Sequence, residues 1–203
     1  MKSEITNKNT IAKPLDRKSP RARWHDYSGG EYFVTVCTKN RQHYFGEVSS
    51  GNNVVLTPIG SYLKMQIENL PQHYPYASVF TYIIMPNHIH LIIKIDANKT
   101  PYDRRDVARR RDVARRIPTI DMTAKNEYMR DIANKQGWLS VCIGGMKSAI
   151  TRFANANQID FGWQDSYHDH IIRDINEMNY IAGYIVLNPV RWENDKFYKS
   201  PTE

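Results

Sequence analysis

Long hydrophobic runs are missing from this chain of 203 residues. The longest, such as residues 91–95, fall far short of the roughly 20 apolar residues that a bilayer-spanning helix needs, so no membrane association is expected. The N-terminus has no contiguous apolar stretch before a small-residue cleavage site, which argues against a secretory signal and makes the cytoplasm the expected location. Cysteine is scarce: Cys37 and Cys142 stand alone, without CxxC spacing, and are expected to be reduced and buried rather than part of a disulfide or zinc framework. Repeats of supersecondary length are absent too. The tandem RDVARR over residues 105–116 is far too short for a solenoid and reads as a surface insertion. What remains is ordinary globular composition, 41% hydrophobic and 24% charged, in a chain sized for one domain.

The net charge of +7 is unevenly spread. Residues 1–23 carry +5 and residues 104–116 another +5, leaving −3 for the rest. Basicity therefore sits in one N-terminal arm, residues 1–23, and one insertion at about 99–125, with the domain proper spanning 24–203. Both basic segments suit a polyanionic partner, and both are equally compatible with solvated charge that grips nothing.

Residues 31–38 (EYFVTVCT) are aromatic and β-branched and read as a strand. Thr57 and Pro58 form a helix start, followed by Ile59, Leu63, Ile67 and Leu70 at helical spacing. Residues 78–85 and 88–95 read as strands of a hairpin around Pro86 and Asn87. A helix is expected between Trp138 and Ala156, weakened by Gly144 and Gly145. A last strand is expected at 166–173. An acidic capping box of Asp174 and Glu177 then opens a final helix that Pro189 stops. This order is α+β and ferredoxin-like, βαββαβ, with a four- or five-stranded antiparallel sheet, two helices on one face, and a C-terminal helix left to cover the other.

Period two in the strand 88–95 puts Ile89, Leu91, Ile93 and Ile95 on one face and His88 and His90 on the other. Two imidazoles at i and i+2, roughly 6 to 7 Å apart at the backbone, can chelate one metal ion. On the final helix Tyr180, Tyr184 and Asn188 fall at i, i+4 and i+8, along one stripe beside Ile181 and Ile185. Laid across the histidine face, that helix would bring a phenol and an amide oxygen to a two-histidine metal site.

The segments YIIMPNHIHLII (82–93) and WQDSYHDHIIRDINEMNYIAGYIVLNPV (163–190) resemble the signature blocks of the HUH single-tyrosine transposases. Residues 19–48 resemble, within that superfamily, the REP-associated tyrosine transposases, which act on repetitive extragenic palindromes. The likeness runs in order over most of the chain and implies residue roles. The histidine-hydrophobic-histidine pair falls on His88, Ile89 and His90, as metal ligands. The Y-I-x-x-N-P pattern falls on residues 184–189, making Tyr184 the nucleophile and Asn188 the third ligand. It also implies a magnesium or manganese ion where two imidazoles alone would equally suit zinc. His168 and His170 form a second H-x-H, but Asp169 between them is not hydrophobic, so they are expected only as a surrounding shell. Tyr180 lacks the motif context and is expected to pack or to touch DNA.

These roles imply a metal-dependent single-stranded DNA endonuclease and strand transferase, a transposase that cuts palindromic or hairpin DNA through a 5′-phosphotyrosine bond. Arg21, Arg23, Trp24, Tyr27, Lys147, Arg152 and Tyr180 are candidate DNA contacts. A monomer or homodimer associated with the nucleoid when DNA-bound is expected. No residue stands out in the sequence as a general base for Tyr184. The competing class is a non-catalytic or domesticated single-stranded nucleic-acid-binding protein of ferredoxin-like fold. An RNA-binding module of that kind would carry paired aromatics where His88 and His90 stand. A third reading, a metal hydrolase acting through water, would need an Asp or Glu beside the histidines and no Tyr184.

Overall fold

Alternation along the strands decides which side of the sheet each layer covers. In the computed structural model, which describes residues 29–100 and 137–198, four antiparallel strands form one sheet. They are β1 (Gly30–Cys37), β4 (Ala77–Met85), β5 (His88–Ile95) and β6 (His168–Ile172), in the spatial order β4-β5-β1-β6. Helix α1 (Pro58–Glu68) lies between β1 and β4 in the chain, and α3 (Trp138–Ala156) lies between β5 and β6. Strand, helix, strand, strand, helix, strand with the hairpin in the middle is the ferredoxin-like arrangement.

Tyr32, Val34 and Val36 of β1 sit opposite Ile93, Leu91 and Ile89 of β5, so all six side chains leave by one face. There they join Ile59, Leu63 and Ile67 of α1 and Leu139, Cys142, Ile143, Met146 and Ile150 of α3 in the main core. The facing register, Phe33 with Ile92, Thr35 with His90 and Cys37 with His88, leaves by the other face. A smaller cluster forms there, where Ile181 and Ile185 of α4 (Ile175–Leu187) meet Ile92 and Ile172. Each such burial contributes about 2 kcal/mol, enough to hold the C-terminal helix over the histidines.

Local chemistry explains the helix ends. Thr57 accepts from the Gly60 backbone N–H, with Pro58 at the first helical position of α1. Asp174 accepts from the N–H groups of Asn176 and Glu177 and starts α4. The expected capping box is only half formed: Glu177 reaches back to the N–H of Arg173, one residue before the cap, while its other oxygen bonds His170. Glycine inside α3 is a packing requirement, since a Cβ on Gly145 would fall 1.8 Å from the Tyr74 hydroxyl.

Three features depart from the sequence reading. The loop after β1 contains a small hairpin, β2 (Gly46–Val48) with β3 (Val54–Leu56), whose three-residue strands are too short to show a period. A short helix α2 (Leu70–His73) follows α1. Pro189 does stop the final helix, but the sequence reading assigns nothing beyond it, where the chain winds into a 3-10 helix, Pro189–Asn194, that turns it back toward the sheet. The basic arm (1–23), Arg21, Arg23, Trp24, Tyr27 and the RDVARR repeat lie outside the described residues, as does nearly all of the 99–125 insertion. Cys37 and Cys142 are buried free thiols. Among the described residues no helix is long and apolar enough to cross a membrane.

Candidate active site

The hairpin β4-β5 delivers the two imidazoles. His88 is the first residue of β5 and His90 follows on the same face; both are buried, and their Nε2 atoms stand 3.1 Å apart. Each ring is held from behind. His88 Nδ1 lies 2.8 Å from Asn87 Oδ1, and the Asn87 amide nitrogen donates to the carbonyls of Arg41 and Phe197. Because that nitrogen end is spent on two carbonyls, the oxygen end must face His88, so His88 carries its proton on Nδ1 and turns a bare Nε2 inward. Asn40 and Arg41 reach this turn with φ of 54° and 55°, left-handed conformations uncommon for residues with a Cβ, and the Arg41 carbonyl gains its aim from them.

His90 Nδ1 lies 2.8 Å from the Thr35 hydroxyl, which can donate or accept. With Nε2 of His88 bare, the ion-free pair shares one proton: His90 Nε2–H points at His88, and Thr35 donates to His90 Nδ1. Burial keeps both rings neutral. It pushes His88 well below its ordinary value, helped by the charges of His90, Arg41 and Lys196, and it lowers His90 to about 4, with Lys196 acting in the same direction and Asp195 opposing.

Helix α4 contributes the other half. Tyr184 is half-buried, its hydroxyl 3.3 Å from His90 Nε2, and its ring meets Phe33 edge-on. The phenol donates to Asp195 Oδ2 at 3.1 Å. Its pKa is pushed up to about 12, first by burial and then by the Asp195 carboxylate. Asn188, one turn later and 1% exposed, donates from Nδ2 to the same Asp195 oxygen at 3.1 Å. Its Oδ1 is buried without a hydrogen-bond partner.

Asp195 is the residue that sequence reasoning missed. It lies just beyond the 3-10 helix, and its Oδ1 accepts from the Phe197 backbone N–H at 2.7 Å. His88, His90 and Asp195 offer ligand atoms within 4.8 Å of one another. Phe197 roofs the pair, its ring 4.7 Å from His88 and 5.8 Å from His90, with Arg41 and Lys196 on its faces.

These residues suit a divalent cation. Two nitrogens bound to one ion at about 2.1 Å each, at right angles, stand about 3 Å apart, and the His pair is at 3.1 Å. An orphaned buried carbonyl oxygen on Asn188 adds a hard donor of the type that magnesium and manganese prefer to sulfur or extra nitrogen.

The remaining expected residues lie elsewhere. His168 and His170 share the sheet face but are exposed on β6, with β1 between them and the pair, and His170 is bound to Glu177. They do not form a shell around the histidines. Lys147 and Arg152 sit on α3, across the sheet; the Lys147 ammonium donates to the Gln164 carbonyl beside Trp163. Tyr180 is 80% exposed, so it is not part of the packing that seats the helix.

A ferredoxin-like sheet with H-x-H at the start of a central strand, under a helix that bears tyrosine, is what the resemblance to the HUH single-tyrosine transposases leads one to expect. No protein-family model matches the chain. An uncharacterized protein of Haemophilus influenzae is 30% identical over 184 residues, 90% of this chain and 93% of that one. A second H. influenzae protein, named as a candidate REP-associated tyrosine transposase, is 24% identical over 80% of this chain and 72% of its own. Two solved structures also match. One is a REP-associated tyrosine transposase bound to a REP hairpin, with TM-score 0.44 and 17% identity over 87% of this chain and 76% of that one. The other is a candidate transposase of Deinococcus radiodurans, with TM-score 0.36 and 14% identity over 82% and 95%. The chain is thus related over most of its length to an uncharacterized H. influenzae protein, and it resembles the REP-associated tyrosine transposases.

Proposed function

We propose that this protein cuts and rejoins single-stranded or hairpin DNA through a covalent bond to Tyr184, with His88, His90 and Asn188 holding a magnesium or manganese ion. The observation that carries the reading is that both Nε2 atoms and the Tyr184 hydroxyl, 3.3 Å from His90, meet beside Asp195, the carboxylate to which Asn188 is also bonded. A divalent ion bound there supplies Lewis acidity to a phosphate oxygen. The chain's own residues do the rest. Tyr184 Oη attacks phosphorus, its proton passes to Asp195 Oδ2, to which it is already hydrogen-bonded, and the 3′ oxygen leaves. The 5′-phosphotyrosine conserves the ester, so a returning 3′ hydroxyl can reverse the step. Phe197 and Trp192 limit water at the histidine pair, which favours transfer to a strand over hydrolysis. Hairpin DNA is the proposed partner because the transposases that the chain resembles act on repetitive extragenic palindromes.

Asp195 also favours a second reading. A His-His-Asp group with an activated water would make a hydrolase with no use for Tyr184. Incubating labelled palindromic single strands with manganese and denaturing the mixture separates the two. A denaturant-resistant protein–DNA adduct, lost in Tyr184→Phe with DNA binding kept within about threefold, is the expected result. Undiminished cleavage by Tyr184→Phe would reject the tyrosine mechanism.

A further inference from the structure

We propose that Asp195, besides receiving the Tyr184 proton, is a positioning residue, whose carboxylate sets the polarity of the Asn188 amide so that Oδ1, and not the N–H2 end, is left free for a cation held by the histidine pair. The inference rests on the metal-site reading above and deepens it. A carboxylate only accepts hydrogen bonds, so an amide that meets Asp195 Oδ2 at 3.1 Å must present Nδ2 to it. The opposite end of the same planar group is then forced away from Asp195, where it is buried and unpartnered. Without that anchor the amide can turn over and aim two N–H donors where a cation would need an oxygen. The same oxygen of Asp195 accepts from Tyr184, so one carboxylate orders both helix residues, Tyr184 and Asn188, one turn apart. Its second oxygen is committed to the Phe197 N–H at 2.7 Å, which holds the carboxylate in place. Serving two donors on Oδ2 and one on Oδ1, Asp195 acts through Asn188 rather than as a ligand in its own right.

A double-mutant cycle read by calorimetric titration of Mn2+ into the full chain tests this. Asn188→Ala and Asp195→Ala are each expected to weaken Mn2+ binding about tenfold or more, as loss of an outer partner does. In the Asn188→Ala background, Asp195→Ala should cost nothing further. Losses that multiply in the double variant would make Asp195 an independent ligand or a mere structural brace, and would overturn the inference. So would an unchanged affinity in Asp195→Ala. If that variant does not fold, Asp195→Leu, which is close in volume and cannot accept a hydrogen bond, runs the same cycle. Wild-type protein whose Mn2+ binding is absent or unaffected by His88→Ala would instead sink the metal-site reading itself.

Discussion

At the scale of single residues, the site is built by groups that fix the direction of other groups. Asn87 and Thr35 never face the space between the imidazoles, yet they decide which ring nitrogens are bare. Thr35 is the more telling of the two, because its hydroxyl can reverse. It donates to His90 Nδ1 while Nε2 carries the proton; were Nε2 engaged by a cation, it would accept from Nδ1–H. The switch moves a proton from one ring nitrogen to the other without releasing one. Thr35→Val removes this option while nearly conserving shape. The expected outcome is about tenfold weaker Mn2+ binding by calorimetry with DNA affinity unchanged, and a stability loss of about 1 kcal/mol. An equal loss of DNA binding would mean that Thr35 merely supports the fold. Spacing shows that the two histidines share a direction, as do Tyr180, Tyr184 and Asn188, because i, i+2 on a strand and i, i+4 on a helix each force it, while the choice of Tyr184 and Asn188 comes from the family resemblance. Neither reveals Asp195. Its approach depends on how the 3-10 helix from Pro189 bends the chain back, and no periodicity encodes that path.

At the scale of elements, the two faces of the sheet differ in how they are secured. The main core locks α1 and α3 through more than twenty buried side chains, whereas α4 is held by a cluster of four with a few partly buried neighbours. The element that carries Tyr184 is therefore the less firmly seated, which suits the DNA-accommodating role proposed for it. The strand order and the sidedness of β5 were legible because a hairpin around Pro86-Asn87 and strict alternation leave few other pairings. The β2-β3 hairpin and α2 were not, being shorter than the periods that would reveal them. Gly144 and Gly145 looked alike as weak points of a helix. The structure separates them: a Cβ at 144 meets nothing, while one at 145 collides with Tyr74. Gly144→Ala should raise stability by about 0.5–1 kcal/mol through better helix propensity, and Gly145→Ala should destabilise by more than 1 kcal/mol despite the same propensity gain. Urea unfolding midpoints of the two variants check it; a matching upward shift in both would show that Tyr74 yields freely.

At the scale of the whole molecule, burying two imidazoles ties folding to pH. In the unfolded chain a histidine titrates near 6.5, whereas in the folded, ion-free protein burial lowers His90 to about 4 and shifts His88 in the same direction. Below the unfolded value the unfolded chain takes up protons that the folded chain refuses, so stability rises with pH across this window. The contribution is complete above about pH 6.5 and lost progressively as pH falls toward 4, amounting to about 3 kcal/mol from His90 alone. Glu68 and Glu177, whose carboxyls are held below their ordinary value by Lys64 and His170, add their losses only at lower pH, below about 4.5. The two effects are therefore separable. With chelator present, the denaturation midpoint should drop steeply between pH 6.5 and 4.5, and His90→Gln, which cannot protonate, should flatten that slope. A variant as acid-sensitive as the parent would show that the buried pair does not set the molecule's acid limit.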